Sequence, residues 1–263
     1  MRKDRTRYYR EFTDDFVTSK DQNTKVPSDY EYIRESFSAR FRSGLTYGLA
    51  IVLGYVYCKL ILRVRFVNRR AFSATKGQGA FIYANHTQPV GDVVLPAFAC
   101  FPRRIYTVVS PANLGIPFIG RQLPYLGALP IADTAGGMKR FTSAMEHRLS
   151  QKKIITIYPE AHVWEYHKDI RPYSDASFRY PVKFNAPAFC LTVTYQQSRF
   201  FRRPRTTVYV DGPFYPDTTL PLRARAAKLH SSIYECMCQR SKKSTCEYIR
   251  YRRAEDGEEA SVS

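Results

Sequence analysis

The sequence predicts an α/β fold: a mixed, largely parallel sheet flanked by helices, with an N-terminal membrane-associated helical segment. Three observations lead there. Short apolar, β-branched runs alternate with helix-forming stretches, the pattern of strand–helix–strand units. The length of 263 residues suits one large α/β domain or a smaller one with helical extensions. An uncharged run of residues 43–58, SGLTYGLAIVLGYVYC, stands ahead of the first central strand.

That run gives about 24 Å of helix, short of the ~20 residues a spanning helix uses. Arg40 and Arg42 precede it, and Lys59, Arg63 and Arg65 follow. Basic flanks on both sides set no topology. A helix lying in or dipping into one leaflet is the expectation, with a true span or a plain packing helix as alternatives. Residues 26–42 read as a short polar helix leading into it. LRVRFVN (62–68) reads as a strand, TKGQG (75–79) as a turn, and AFIYANH (80–86) as a buried strand ending at a histidine.

A helix over 90–99 despite Pro96, a strand over 103–110 and a Gly/Pro-broken apolar stretch over 110–127 come next. GALPIAD (127–133) resembles a short strand. Met138, Phe141, Met145 and Leu149 recur at helical spacing within 136–151. KIITIYPEAH is a third apolar strand, with Glu160 just past its end. Residues 186–195 and 205–211 supply two more strands, joined by the basic QQSRFFRRPR. A long helix starts near Leu222, and EDGEEASVS reads as a frayed tail. The organisation expected is 1–62 helical and membrane-associated, 63–235 the α/β domain, and 236–263 the helix end and charged tail.

A formal net charge of +18 fits nucleic acid, an anionic membrane surface or anionic metabolites. No zinc-finger spacing or RNP-like segment is present, so nucleic acid is not an expected partner. The six cysteines (58, 100, 190, 236, 238 and 246) form no CxxC and read as reduced thiols. No GxSxG elbow and no phosphate-binding glycine loop occurs.

The chemistry concentrates in YANHTQPVGD, residues 83–92. The chain has only 5 histidines, yet His86 falls where a buried strand ends. Ligands of parallel sheets gather beyond such carboxyl ends. Glu160 follows a different strand, so the two can meet. A neutral imidazole can take a proton from a hydroxyl near neutral pH when a carboxylate orients its other nitrogen. Asp92 can do so only if Pro89 and Gly91 turn the chain before the helix starts. Asn85 can hold the strand end through bonds to backbone groups. A structural His–Asp pair closing a turn is the alternative. Glu160 and His162 fit no standard metal motif, so no metal is expected.

In order, these blocks resemble the glycerophospholipid acyltransferase superfamily, of the bacterial lysophosphatidate acyltransferase type, from about Ser43 to Phe214. The blocks are NHTQPVGD, YLGALPIAD, YPEAHVW and NAPAFCL. The first carries one residue more between His and Asp than the commonest family pattern. In the second, Asp133 stands where the family has a basic residue. In the third, Tyr158, Pro159 and Glu160 keep the start, while Ala161, His162 and Val163 replace the rest.

The resemblance implies transfer of a fatty acyl group from acyl-CoA or acyl carrier protein to a lysophospholipid hydroxyl, such as that of 1-acyl-glycerol-3-phosphate. The reaction would belong to phospholipid biosynthesis, with no permanently bound cofactor. His86 would be the base, and Asp92 would orient it. Asn85 and Pro159 would support the site. Glu160, His162, Asp133, Lys168 and Arg171 would line the acceptor region, with His162, Lys168 or Arg171 replacing the missing phosphate-binding arginines. The apolar stretch 110–127 would wall an acyl groove or form a buried connection, and RFFRRPR would meet anionic headgroups or form a solvated basic loop. The expected location is a cell membrane, peripheral or monotopic on its cytoplasmic face. A non-catalytic membrane-binding protein of the same fold and a lipid hydrolase are the alternatives.

Overall fold

The strand sequence AFIYA has no polar position because both of its faces are covered. In the computed structural model, which describes residues 5–16 and 24–254, every residue of this strand, β3 (Ala80–Ala84), is buried. In chain order before it come β1 (Thr6–Tyr9), α1 (Phe37–Leu60) and β2 (Arg65–Val67). After it come α2 (Gly91–Cys100), β4 (Ile105–Val109), α3 (Leu123–Leu126), β5 (Ala128–Pro130), α4 (Ala135–Ser150) and β6 (Ile154–Ile157). The chain then forms α5 (Arg179–Phe184), β7 (Ala188–Gln196), β8 (Arg205–Phe214), α6 (Leu222–Ser241) and β9 (Arg250–Arg253).

Seven strands make one sheet in the order β2-β8-β7-β3-β6-β4-β5. β3 runs parallel to both β6 and β7, and β4 is parallel to β6 and β5. Only the β7–β8 hairpin is antiparallel, and β2 then runs parallel to β8. Alternation along β3 splits the core. Phe81 and Tyr83 face Phe141 and Met145 of α4 and Leu229, Ile233 and Met237 of α6. Ala80, Ile82 and Ala84 face Leu95 of α2 and Cys58 of α1. The spacing at Phe141 and Met145 thus marks the inner face of α4. α6 runs unbroken through the boundary expected at residue 236, because Leu229, Ile233 and Met237 pack on one core.

α1 starts at Phe37, capped by the Ser36 hydroxyl, which accepts from the Ala39 N–H at 3.3 Å. The short helix expected from residue 26 is absent over 24–36. That segment is tied down by side chains instead: the Tyr32 hydroxyl donates to the Pro130 carbonyl at 2.8 Å, and its ring meets Phe141. α1 is long and apolar enough to cross a membrane, and only Gly54 and Cys58 of it are buried. Gly54 permits close approach to α2, since a Cβ there would sit 2.7 Å from Val94. The outer face leaves Phe37, Phe41, Leu45, Leu49, Leu53 and Leu60 exposed.

A second, two-stranded sheet was not expected. β1 pairs in parallel with β9, Thr6 opposite Arg250 through Tyr9 opposite Arg253. Both strands are runs of Arg and Tyr without apolar alternation, so no period marks them. The EDGEEASVS tail lies outside the described residues.

Candidate active site

The end of β3 is clamped before the chemistry begins. The Asn85 side chain accepts from the Val193 N–H at 2.8 Å and donates to the Val193 carbonyl at 3.0 Å. It therefore acts as one more rung to β7. Beyond it the chain leaves the sheet. The hydroxyls of Thr87 and Tyr195 lie 2.6 Å apart, and Gln88 Nε2 donates to the same tyrosine oxygen at 3.0 Å. Both Thr87 and Gln88 are buried. The turn at Pro89 and Val90 brings the chain into α2 at Gly91, so residues 86–90 lie outside the helix.

This turn places His86 Nδ1 2.7 Å from Asp92 Oδ2. The same oxygen accepts from the Gln88 N–H at 2.9 Å. Asp92 lies in the first turn of α2, where the helix dipole favours an anion. A carboxylate accepting from Nδ1–H leaves the lone pair on Nε2. Nε2 has no hydrogen-bond partner among the described residues. The Tyr158 ring stacks on the imidazole, with centroids 4.4 Å apart, and its hydroxyl donates to the Asp92 carbonyl at 2.6 Å. Burial pushes the Asp92 carboxyl above its ordinary range, opposed by the bonds from His86 and Gln88. The His86 side chain is 20% exposed against 3% for Asp92, so the ring alone meets solvent.

Glu160 does come to His86, but to its backbone. Its Oε2 accepts from the His86 N–H at 3.2 Å and from Arg171 Nη2 at 3.0 Å, while Oε1 accepts from the Arg171 N–H at 3.1 Å. The Glu160 and Arg171 side chains are almost wholly buried. Burial lowers the Arg171 guanidinium, and Glu160 counters it. Arg171 also donates to the carbonyls of Phe12 and His162 and lies 4.7 Å over the Trp164 ring. The pair is an internal brace beneath His86.

The remaining predicted residues scatter. His162 lies 3.3 Å from Asp15, and Lys168 lies 3.4 Å from Glu247. Asp133 follows the edge strand β5, three strands from β3, which is about 14 Å at the usual strand spacing. Lys25 lies 3.9 Å from it. Pro159 sits between the stacking Tyr158 and Glu160. Trp164 is fully buried against Tyr251 and Tyr9, and its backbone N–H donates to the His86 carbonyl at 3.0 Å. Phe118 and Ile119, in the stretch expected to wall a groove, point outward, as do Phe200 and Phe201 of the basic loop.

One cluster could be weighed as a metal site: Cys190, Asp211 and Cys236, whose ligand atoms lie within 4.8 Å of one another. Asp211 is already held by Arg240 at 2.8 Å, and a guanidinium there opposes a second cation. The two sulfurs are 3.5 Å apart, and the bond between them pushes the Cys190 thiol up and Cys236 down.

Sequence reasoning missed Thr87, Gln88 and Tyr195. A polar pair after the histidine was visible, but nothing in β7 marks Tyr195 as its partner.

The chain is similar to the solved structure of the 1-acyl-sn-glycerophosphate (LPA) acyltransferase PlsC from Thermotoga maritima, with a TM-score of 0.56. The match covers 82% of this chain and 86% of that one at 12% identity, a likeness of fold. No family model matches the chain, and no curated protein matches it by sequence.

Proposed function

We propose that this chain is an acyltransferase working at a membrane surface. Its acceptor would be the hydroxyl of a lysophospholipid such as 1-acyl-glycerol-3-phosphate, and its donor a thioester of CoA or of acyl carrier protein. The observation that carries the reading is the 2.7 Å contact between His86 Nδ1 and Asp92 Oδ2. Beside it stand the fold likeness to an enzyme of that name and the exposed apolar face of α1.

In this reading Nε2 of His86 removes the acceptor hydroxyl proton as the oxygen attacks the thioester carbonyl. The C–S bond breaks, an ester C–O bond forms, and the proton passes from Nε2 to the departing thiolate. Asp92 holds the ring in the required tautomer and stabilises the imidazolium. Glu160 and Arg171 support the loop rather than touch the acceptor. His162 and Lys168, both part-exposed, are the side chains offered to its headgroup, in exchange for their contacts with Asp15 and Glu247. α1 and the basic loop with Phe200 and Phe201 would rest on anionic lipid at the cytoplasmic face.

The test is purified protein in lipid micelles with acyl-CoA, then acyl carrier protein, against phosphorylated and neutral lyso-lipids, read by mass spectrometry. An acylated lipid that disappears in His86→Ala is expected. Free fatty acid as the only product would make the chain a hydrolase, and no product from either donor would leave a non-catalytic membrane protein.

A further inference from the structure

At the opposite end of the strands from His86 lies a cavity of about 630 Å³. It opens where the amino ends of β4, β5 and β6 meet the start of α1 and the end of α4. Five cationic side chains line it: Arg34, Arg40, Arg104, Arg148 and Lys153. Of its two carboxylates, Glu35 pairs with His147 outside the cavity at 2.9 Å, and Glu31 lies 3.9 Å from Arg34 of the cavity itself. Arg104 and Arg148 have no carboxylate in ion-pair reach among the described residues.

Those two guanidiniums are the unusual feature. Arg148 is 9% exposed, and its Nε is buried with no hydrogen-bond partner among the described residues; the same holds for Arg104 Nε. An uncompensated buried cation is costly. Both are held by neutral groups instead. Arg104 Nη2 donates to the Ser43 hydroxyl at 2.6 Å and the Tyr125 carbonyl at 2.7 Å. Arg148 Nη1 donates to Gln151 at 3.1 Å. Both lie over the Tyr106 ring, Arg104 at 5.5 Å and Arg148 at 4.6 Å from its centroid. Aromatic faces and carbonyls orient the guanidiniums but leave their charge uncancelled. Tyr30, Tyr32 and Tyr125 complete the wall.

The geometry points to a binding site for an organic phosphate in this cavity, separate from the His86 site. Planar guanidiniums match phosphate oxygens through charge-assisted, bidentate bonds. The volume falls within the range of small-ligand sites, ample for a phosphate attached to a polar body. The tyrosines offer faces and hydroxyls to that body. A nucleotide and a glycerophosphate headgroup share this chemistry. The strands separating the two sites place them on the order of 15 Å apart, so ligand here would not touch the reacting atoms.

Isothermal titration of the full chain with inorganic diphosphate, ADP and sn-glycerol 3-phosphate tests the site. Saturable binding of at least one probe is expected, weakening with added salt. Arg148→Gln should lower affinity by roughly tenfold or more. Lys153→Gln, on a less buried position, should lower it by about threefold, and it keeps the test valid if the arginine variant does not fold. Preference for ADP would mark a nucleotide-type ligand, and preference for glycerol phosphate a lipid headgroup. His86→Ala should bind unchanged, which separates this site from the catalytic reading. No binding of any probe, or binding indifferent to both cavity substitutions, would overturn the assignment.

Discussion

At the carboxyl end of β3, Asp92 lies 2.7 Å from His86 and Glu160 lies 3.0 Å from Arg171. At the amino ends of β4 and β6, Arg104 and Arg148 border a cavity, and neither has a carboxylate in ion-pair reach among the described residues. In the first region each charged group has its counterpart, and what remains available is one ring nitrogen that can take or give a proton. In the second, permanent cations are stacked on tyrosines and held by carbonyls, which keeps positive charge available. The first arrangement suits proton transfer, and the second suits holding an anion. A single basic chain thus uses its charge in two ways, separated by the length of its strands.

The largest expected effect breaks the first region. His86→Ala should lower acyl transfer by roughly 10³–10⁴-fold, while circular dichroism and melting stay near wild type. Transfer within a few-fold of wild type would refute the base assignment. Next is the brace. Arg171→Met leaves Glu160 buried without its cation and should cost roughly 3–5 kcal/mol of stability, read by urea unfolding. A small loss would mean that Glu160 finds water, and that the brace is less closed than the geometry indicates.

Asp92→Asn sharpens the comparison. It keeps the shape but disturbs the tautomer, so transfer should fall roughly 10²-fold. It also has a pH signature. The folded Asp92 carboxyl is pushed above its ordinary value of 3.8 by burial, so the folded state keeps this proton where the unfolded state has lost it. Its stabilising contribution is present below that ordinary value and is lost as pH rises through the folded value. Denaturation of wild type and Asp92→Asn across about pH 4 to 7 should show the variant gaining relative stability as pH rises. A constant difference would mean no such shift. The smallest effect is Tyr158→Phe, which removes the 2.6 Å bond to the Asp92 carbonyl but keeps the stack on His86. It should cost about 1 kcal/mol with a modest fall in turnover. A fall as large as that of Asp92→Asn would give the hydroxyl a direct part in catalysis.

Much of the sheet was legible because its strands are apolar on both faces, as AFIYA and IITI show. His86 was legible because it ends one of them. The pairing with Asp92 was readable only conditionally: six residues along a helix would separate the side chains, and the turn at Pro89 and Val90 removes that obstacle. Arg171 appeared from its position a candidate for meeting phosphate. It is instead enclosed by Glu160, Trp164 and the carbonyls of Phe12 and His162, contacts that join residues up to 159 apart. β1 and β9 had no local signal, since each is polar and finds its partner at the other end of the chain.

The sequence by itself determined the α/β class, the apolar helix α1, the inner face of α4 and the location of His86 at a strand end. These follow from periodicity and burial along a few consecutive residues, where each side chain reports its own environment. The tertiary structure alone decided which charges cancel. Coulomb attraction depends on distance and on exclusion of water, and neither is written in local spacing. Only folding turned Glu160 and Arg171 into a closed pair and left Arg104 and Arg148 facing a cavity.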